Sequence, residues 1–69
     1  MQIKVNGKEI VFESRSNAIS VAFLLEHIKI QPVNVAVEKN GIIIDRADYK
    51  EEELNDGDIL EIVRFVGGG

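Results

Sequence analysis

Met1-Gln2-Ile3-Lys4-Val5-Asn6-Gly7-Lys8-Glu9-Ile10-Val11-Phe12-Glu13 alternates apolar and polar side chains on both sides of Asn6-Gly7. A period of two places Met1, Ile3 and Val5, and then Ile10 and Phe12, on one face of extended chain. Asn-Gly adopts the positive φ angles of a type I′ turn at little cost, so the stretch predicts a hairpin with strands over 2–6 and 8–13. A hairpin with one apolar face needs something laid across that face.

The next apolar pattern supplies it. Residues 14–17 are polar and loop-like, after which Val21, Leu24, Leu25 and Ile28 recur at the spacing of one helical face. Ser20 suits the N-cap, with Asn17 as a rival one turn earlier. Pro32 has no amide hydrogen for a continuing helix. Beyond it Val33, Val35 and Val37 alternate with Asn34, Ala36 and Glu38, and Asn40-Gly41 turns the chain into Ile42, Ile43 and Ile44, a second hairpin. Residues 45–54 read as a loop or short helical turn anchored by Tyr49 and Leu54. Asp56-Gly57-Asp58 then leads into a last strand over 59–66. The order strand, strand, helix, strand, strand, strand implies an α+β protein of the β-grasp type. One main helix packs on one face of a mixed five-stranded sheet, with the first and last strands parallel at its centre.

Composition narrows what such a domain does. Sixty-nine residues make one small domain, which buries only about 60% of its unfolded surface and has little room for a deep catalytic pocket. The 45% hydrophobic and 29% charged content is that of a globular chain. With no cysteine, no disulfide, thiolate metal site or sulfur nucleophile belongs to the chain. Twelve acidic against eight scattered basic residues give a net charge of −4, which argues against nucleic-acid binding and favours steering toward a basic protein surface. No stretch approaches the roughly 20 apolar residues of a membrane span, and no secretory leader is recognisable, so a cytoplasmic protein is expected.

The sequence closes Ile62-Val63-Arg64-Phe65-Val66-Gly67-Gly68-Gly69. Three glycines after an apolar strand do little for a fold, but extended they reach roughly 10 Å and fit a narrow channel. Frayed ends and linker remnants also look like this; the lack of any polar spacer after the strand favours a functional thread. The division is a domain over 1–66 and a flexible glycine tail over 67–69. If Leu60 and Ile62 face the helix, Ile59, Val63 and Phe65 project from the opposite face, where Ala36 and Val11 would extend an apolar docking patch. Arg64 and Val66, at the exit of the strand, join Ile59, Val63 and Phe65 as candidate docking residues.

These features together resemble ubiquitin-like proteins: an opening Met1-Gln2-Ile3, a hairpin with Gly7-Lys8, one amphipathic helix and a diglycine end. Within that superfamily the chain is similar over essentially its whole length to the sulfur carrier proteins of thiamine biosynthesis, the ThiS family. The resemblance rests on Ser20-Val21 followed by Leu24-Leu25, on Val35-Ala36-Val37-Glu38-Lys39-Asn40 leading to Ile44, on Arg46 and Tyr49, on Asp56-Gly57-Asp58, and on residues 61–69. Asp45 departs from it, standing where the family often has proline before the arginine. The small subunit of molybdopterin synthase is a longer relative with a proline-containing approach to its diglycine, where Phe65-Val66-Gly67 stands here.

The resemblance implies a chemistry. An adenylating, ubiquitin-activating-type (ThiF-like) enzyme, holding ATP and magnesium itself, activates the Gly69 carboxylate. A sulfur donor enzyme converts it to a thiocarboxylate, which gives its sulfur to thiazole synthase (ThiG-like). The chain is then a protein cosubstrate rather than an enzyme and binds no cofactor or metal of its own. Gly67 and Gly68 thread the partner's tunnel. The alternatives are a carrier for molybdopterin and a noncovalent ubiquitin-like binding module.

Other residues read as structural. His27 is a single histidine without a nucleophile or metal partner. Glu51, Glu52 and Glu53 are a solvated acidic run. Asp56 and Asp58 lack the other ligands of a calcium loop, and Ser14, Ser16 and Ser20 have no histidine at a triad-like spacing.

Overall fold

The computed structural model describes residues 1–13 and 19–64. Strands β1 (Gln2–Val5) and β2 (Lys8–Val11) form the first hairpin, with Asn6 and Gly7 at φ 51° and 83° as a type I′ turn requires. A two-residue strand β3 (Ile19–Ser20) precedes helix α1 (Val21–His27). Strands β4 (Val35–Lys39) and β5 (Ile42–Ile44) make the second hairpin across Asn40-Gly41. A short β6 (Glu53–Leu54) and the long β7 (Ile59–Arg64) complete the order. The main sheet runs β2-β1-β7-β4-β5, with β1 and β7 parallel at its centre and every other pairing antiparallel.

The expected β-grasp is present, with three local differences. Strand β2 ends at Val11 rather than Glu13. The strand expected from Val33 begins at Val35, because Pro32 opens a single 3-10 turn over Pro32–Asn34 that leaves Val33 exposed. A second, two-stranded sheet pairs Ile19 with Leu54 and Ser20 with Glu53, elements too short for any period to announce.

That small sheet ties the helix start to the loop that follows β5. The N-terminal amides of α1 are all satisfied: Val21 N–H donates to the Glu52 carbonyl, Ala22 N–H to the Tyr49 carbonyl, and Phe23 N–H to Ser20 Oγ at 3.0 Å. Ser20 is thus the cap; the rival Asn17 lies outside the described residues. The helix closes with Lys29 N–H on the Glu26 carbonyl and Ile30 N–H on the Leu25 carbonyl, the paired bonds of a Schellman motif. Its left-handed residue is Lys29, at φ 62°, where glycine is the usual choice. A side chain there costs about 1 kcal/mol.

The core lies between α1 and the sheet. Ile3, Val5, Val35, Val37, Leu60 and Ile62 from the sheet meet Val21, Leu24 and Leu25 from the helix, and Phe12, Ile19, Tyr49 and Leu54 close the sides. Tyr49 and Leu54 are the anchors anticipated for residues 45–54, which contain a 3-10 turn over Arg46–Asp48.

Candidate functional site

Strand β7 organises the functional face because its alternation is sharp: Leu60 is fully buried, while its neighbour Ile59 is 53% exposed and Val63 is 52% exposed. Leu60 and Ile62 point to the helix as expected, and Ile59, Glu61 and Val63 present the outer face of the sheet.

Both Asn-Gly turns hold this strand in place. Asn40 N–H donates to the Ile59 carbonyl, Ile59 N–H donates to Asn40 Oδ1 at 2.9 Å, and Asn40 Nδ2 donates to Asp58 Oδ1. Further along, Ile62 N–H donates to Asn6 Oδ1 at 2.7 Å and Asn6 Nδ2 donates to the Ile62 carbonyl at 3.0 Å. Strand β1 has turned away by this point, so the Asn6 amide replaces a strand backbone and extends the ladder. Asp58, buried, accepts from Asn55 N–H, and Asp56 accepts from Gln2 N–H, so both aspartates serve the turn that launches β7.

The register defines the outer face. Ala36 lies opposite Val63, Glu38 opposite Glu61, and Ile43 opposite Glu38 on the far side of β4. On the β1 side Lys4 neighbours both Ile59 and Glu9. The result is two apolar points, Ile59 and Val63 with Ala36, separated by two carboxylates and flanked by Ile43. A shallow hollow of about 290 Å³ beside Ile59 is bordered by Lys4, Glu9 and Gln2. An apolar and acidic surface of this kind complements an apolar and basic one.

Val11 reaches this patch only at its Ile59 end. It is exposed, but its register partner is Gln2, two residues before Lys4, which places it at the opposite end of the sheet from Val63. Ile43, exposed and on the outer face, flanks the patch from the β5 side. The two-residue hairpin at Asn40-Gly41 carries the signal, since it dictates the Glu38–Ile43 pairing.

Of the docking candidates, Ile59 and Val63 are on the outer face of the described strand, whereas Arg64, exposed at the strand's end, pairs with the buried Val35 and so lies on the helix side of the sheet. Phe65, Val66, Gly67, Gly68 and Gly69 lie outside the described residues. The other candidates take structural places. His27 packs edge-on to Phe12 with ring centroids 4.8 Å apart. Glu52 pairs with Lys39 at 2.6 Å, and Lys39 Nζ also donates to the Glu53 carbonyl. Among the described residues no group of three histidine, cysteine or carboxylate side chains is arranged to hold a metal, and no helix is long and apolar enough to cross a membrane.

A helix on a mixed sheet whose two central strands, the first and the last, run parallel defines a ubiquitin-like β-grasp protein. The chain belongs to the ThiS family, whose profile matches residues 3–69. It is 39% identical to the sulfur carrier protein ThiS of Bacillus subtilis over 67 residues, covering 97% of this chain and 98% of that protein. The crystal structure of the thiamine biosynthesis protein ThiS from Geobacter metallireducens superimposes with a TM-score of 0.83 at 33% identity, covering all of both chains. The chain is also 41% identical over its full length to a thiazole synthase of Paramagnetospirillum magneticum, of which it spans only 20%.

Proposed function

We propose that this protein is the sulfur carrier for formation of the thiamine thiazole ring, with the Gly69 carboxyl as its reactive group. The observation that carries the reading is the extent of the family match: it runs to residue 69 and so includes Gly67, Gly68 and Gly69. A carboxylate is a poor electrophile, because its charge repels nucleophiles and its oxygen is a poor leaving group. In the proposed sequence an adenylating partner, with its own ATP and magnesium, exchanges pyrophosphate for the Gly69 carboxylate and forms an acyl adenylate. A sulfur donor carrying its sulfur as a persulfide attacks the acyl carbon and AMP leaves, giving an acyl disulfide. A thiol reductant then cleaves the S–S bond by exchange, taking the donor sulfur into a new disulfide and releasing the thiocarboxylate, a better nucleophile than the original group.

The acceptor in this reading is thiazole synthase. Its support is the relative of that name that contains the whole of this domain within one longer chain, since domains joined in one chain meet at high effective concentration. The carrier contributes position rather than acid–base catalysis, and works in the cytoplasm with its partners. Ile59 and Val63 dock, Arg64 meets the partner at the exit of the strand, Phe65 and Val66 continue the contact, and Gly67 and Gly68 pass a channel that excludes side chains. Deleting Gly68 and Gly69 tests this against a purely noncovalent module: the carrier loses ATP–pyrophosphate exchange with its adenylating enzyme, whereas a docking module keeps its binding.

A further inference from the structure

A second concave surface lies on the helix side of the molecule, away from the outer face. It is a cleft of about 480 Å³ between the end of α1 and the 3-10 turn over Arg46–Asp48. Its floor is apolar, built from Leu25 and Tyr49, both buried, with Ile30 and Pro32 beside them. Three cations, Lys29, Arg46 and Lys50, border it against the single carboxylate of Glu26. None of the three cations is in an ion pair among the described residues, although Arg46 Nη1 donates to the Val33 carbonyl at 3.4 Å. In a chain of net charge −4 with eight basic residues, this gathering runs against the overall balance.

Lys29 carries the argument further. It occupies the left-handed position that ends α1, which glycine fills without strain, yet the residue is a lysine. Residues held in sparsely populated backbone regions cluster at ligand sites. The volume is within the range of small-molecule sites, and an apolar floor with a few charged groups at its edge is their usual make-up.

We infer that this cleft binds a small anion carried on an apolar ring, a phosphomonoester of an aromatic or heteroaromatic group. The ring lies on Leu25, Ile30 and Tyr49. The phosphate is held by Arg46, whose planar donors suit it, and by the ammonium groups of Lys29 and Lys50. The inference stands apart from the carrier reading, since no step of that chemistry uses the cleft.

Amide chemical-shift titration of the full chain at low salt with phenyl phosphate, inorganic phosphate and phenol as probes tests it. Phenyl phosphate is expected to give saturable shifts at Lys29, Ile30, Arg46 and Lys50, with an affinity about tenfold above either fragment probe. Lys29→Gly, which relieves the left-handed strain and so keeps a melting midpoint at least as high as the parent, is expected to weaken phenyl phosphate about tenfold. The inference is overturned by any of three results: shifts that do not saturate or lie elsewhere, inorganic phosphate binding as tightly as phenyl phosphate, or unchanged affinity in Lys29→Gly. Shifts at the cleft with an acidic aromatic peptide but none with phenyl phosphate also overturn it and assign the surface to a protein partner.

Discussion

Glu38 and Glu61 stand directly opposite each other in the β4–β7 ladder, on the outer face between Ile59 and Val63. Like charges in register destabilise a sheet pair by a few tenths to about 1 kcal/mol. Among the described residues neither has an ion-pair partner within 4.0 Å. Glu61→Gln is therefore expected to raise stability by about 0.5 kcal/mol in urea unfolding at low salt, with a smaller gain in high salt. The same change is expected to slow association with a basic partner, because the carboxylates steer it. No gain in stability would show that the two charges are already relieved in solution.

The Asn6 clamp on Ile62 is the second point of test. Glycine fits the φ of 51° at this position, so Asn6→Gly removes the side-chain bonds without straining the turn. Loss of the bonds to the Ile62 N–H and carbonyl is expected to cost about 1–2 kcal/mol. It should also speed hydrogen exchange at the Ile62 amide more than at Val37, whose place in the β4–β5 and β4–β7 ladders the variant leaves intact. Equal acceleration at both amides would mean that the variant acts only through global unfolding.

Adjacent residues of β7 should respond in opposite ways. Leu60→Ala opens a cavity in the centre of the core and is expected to cost about 3 kcal/mol, a large part of the roughly 3–10 kcal/mol available to a domain of this size. Ile59→Ala, on the exposed face, is expected to cost no more than about 0.5 kcal/mol. Chemical denaturation of the two variants decides, and similar losses would contradict the assignment of faces.

Much of this fold was legible because its strongest signals are local. Asn6-Gly7 and Asn40-Gly41 specify their turns within two residues, Ser20 caps the helix it precedes, and the alternation of β7 assigns Leu60 and Ile59 to opposite faces. What was not legible depends on contacts distant in sequence. Val11 and Val63 are both apolar and outward-facing, and only the parallel β1–β7 register shows that they lie at opposite ends of the sheet. Ile19 and Leu54 pair through a two-residue ladder that no periodicity reveals. Lys29 gives no local signal because glycine is the usual mark of a helix end, and the cleft it borders forms only when the turn at Arg46 packs beside the helix.

Asp45 has φ −65° and ψ 140° and follows the extended Ile44. These angles are those of proline, and the preceding residue is in the region proline requires. Asp45→Pro is expected to raise stability by about 0.4–1 kcal/mol by restricting the unfolded chain, measured as a higher urea midpoint with unchanged slope. A loss would indicate that the Asp45 amide hydrogen makes a bond that proline cannot.

Docking and threading are separable by substitution. Val63→Asp, on the exposed face, is expected to lower adenylation at least about tenfold while the melting midpoint stays within a few degrees, whereas Val11→Asp at the far end of the sheet should leave adenylation unchanged. Gly68→Ala is expected to impair adenylation without unfolding the domain. Normal adenylation of Gly68→Ala by the purified activating enzyme would contradict a channel that excludes side chains.

The central claim is that the Gly69 carboxyl carries sulfur, and intact mass spectrometry of the protein from cells that are making thiamine tests it most directly. A fraction heavier by the exchange of one oxygen for sulfur, placed on Gly69 by fragmentation, is the predicted result. Finding only the unmodified carboxylate while thiazole is being formed, or sulfur on any other residue, would contradict it.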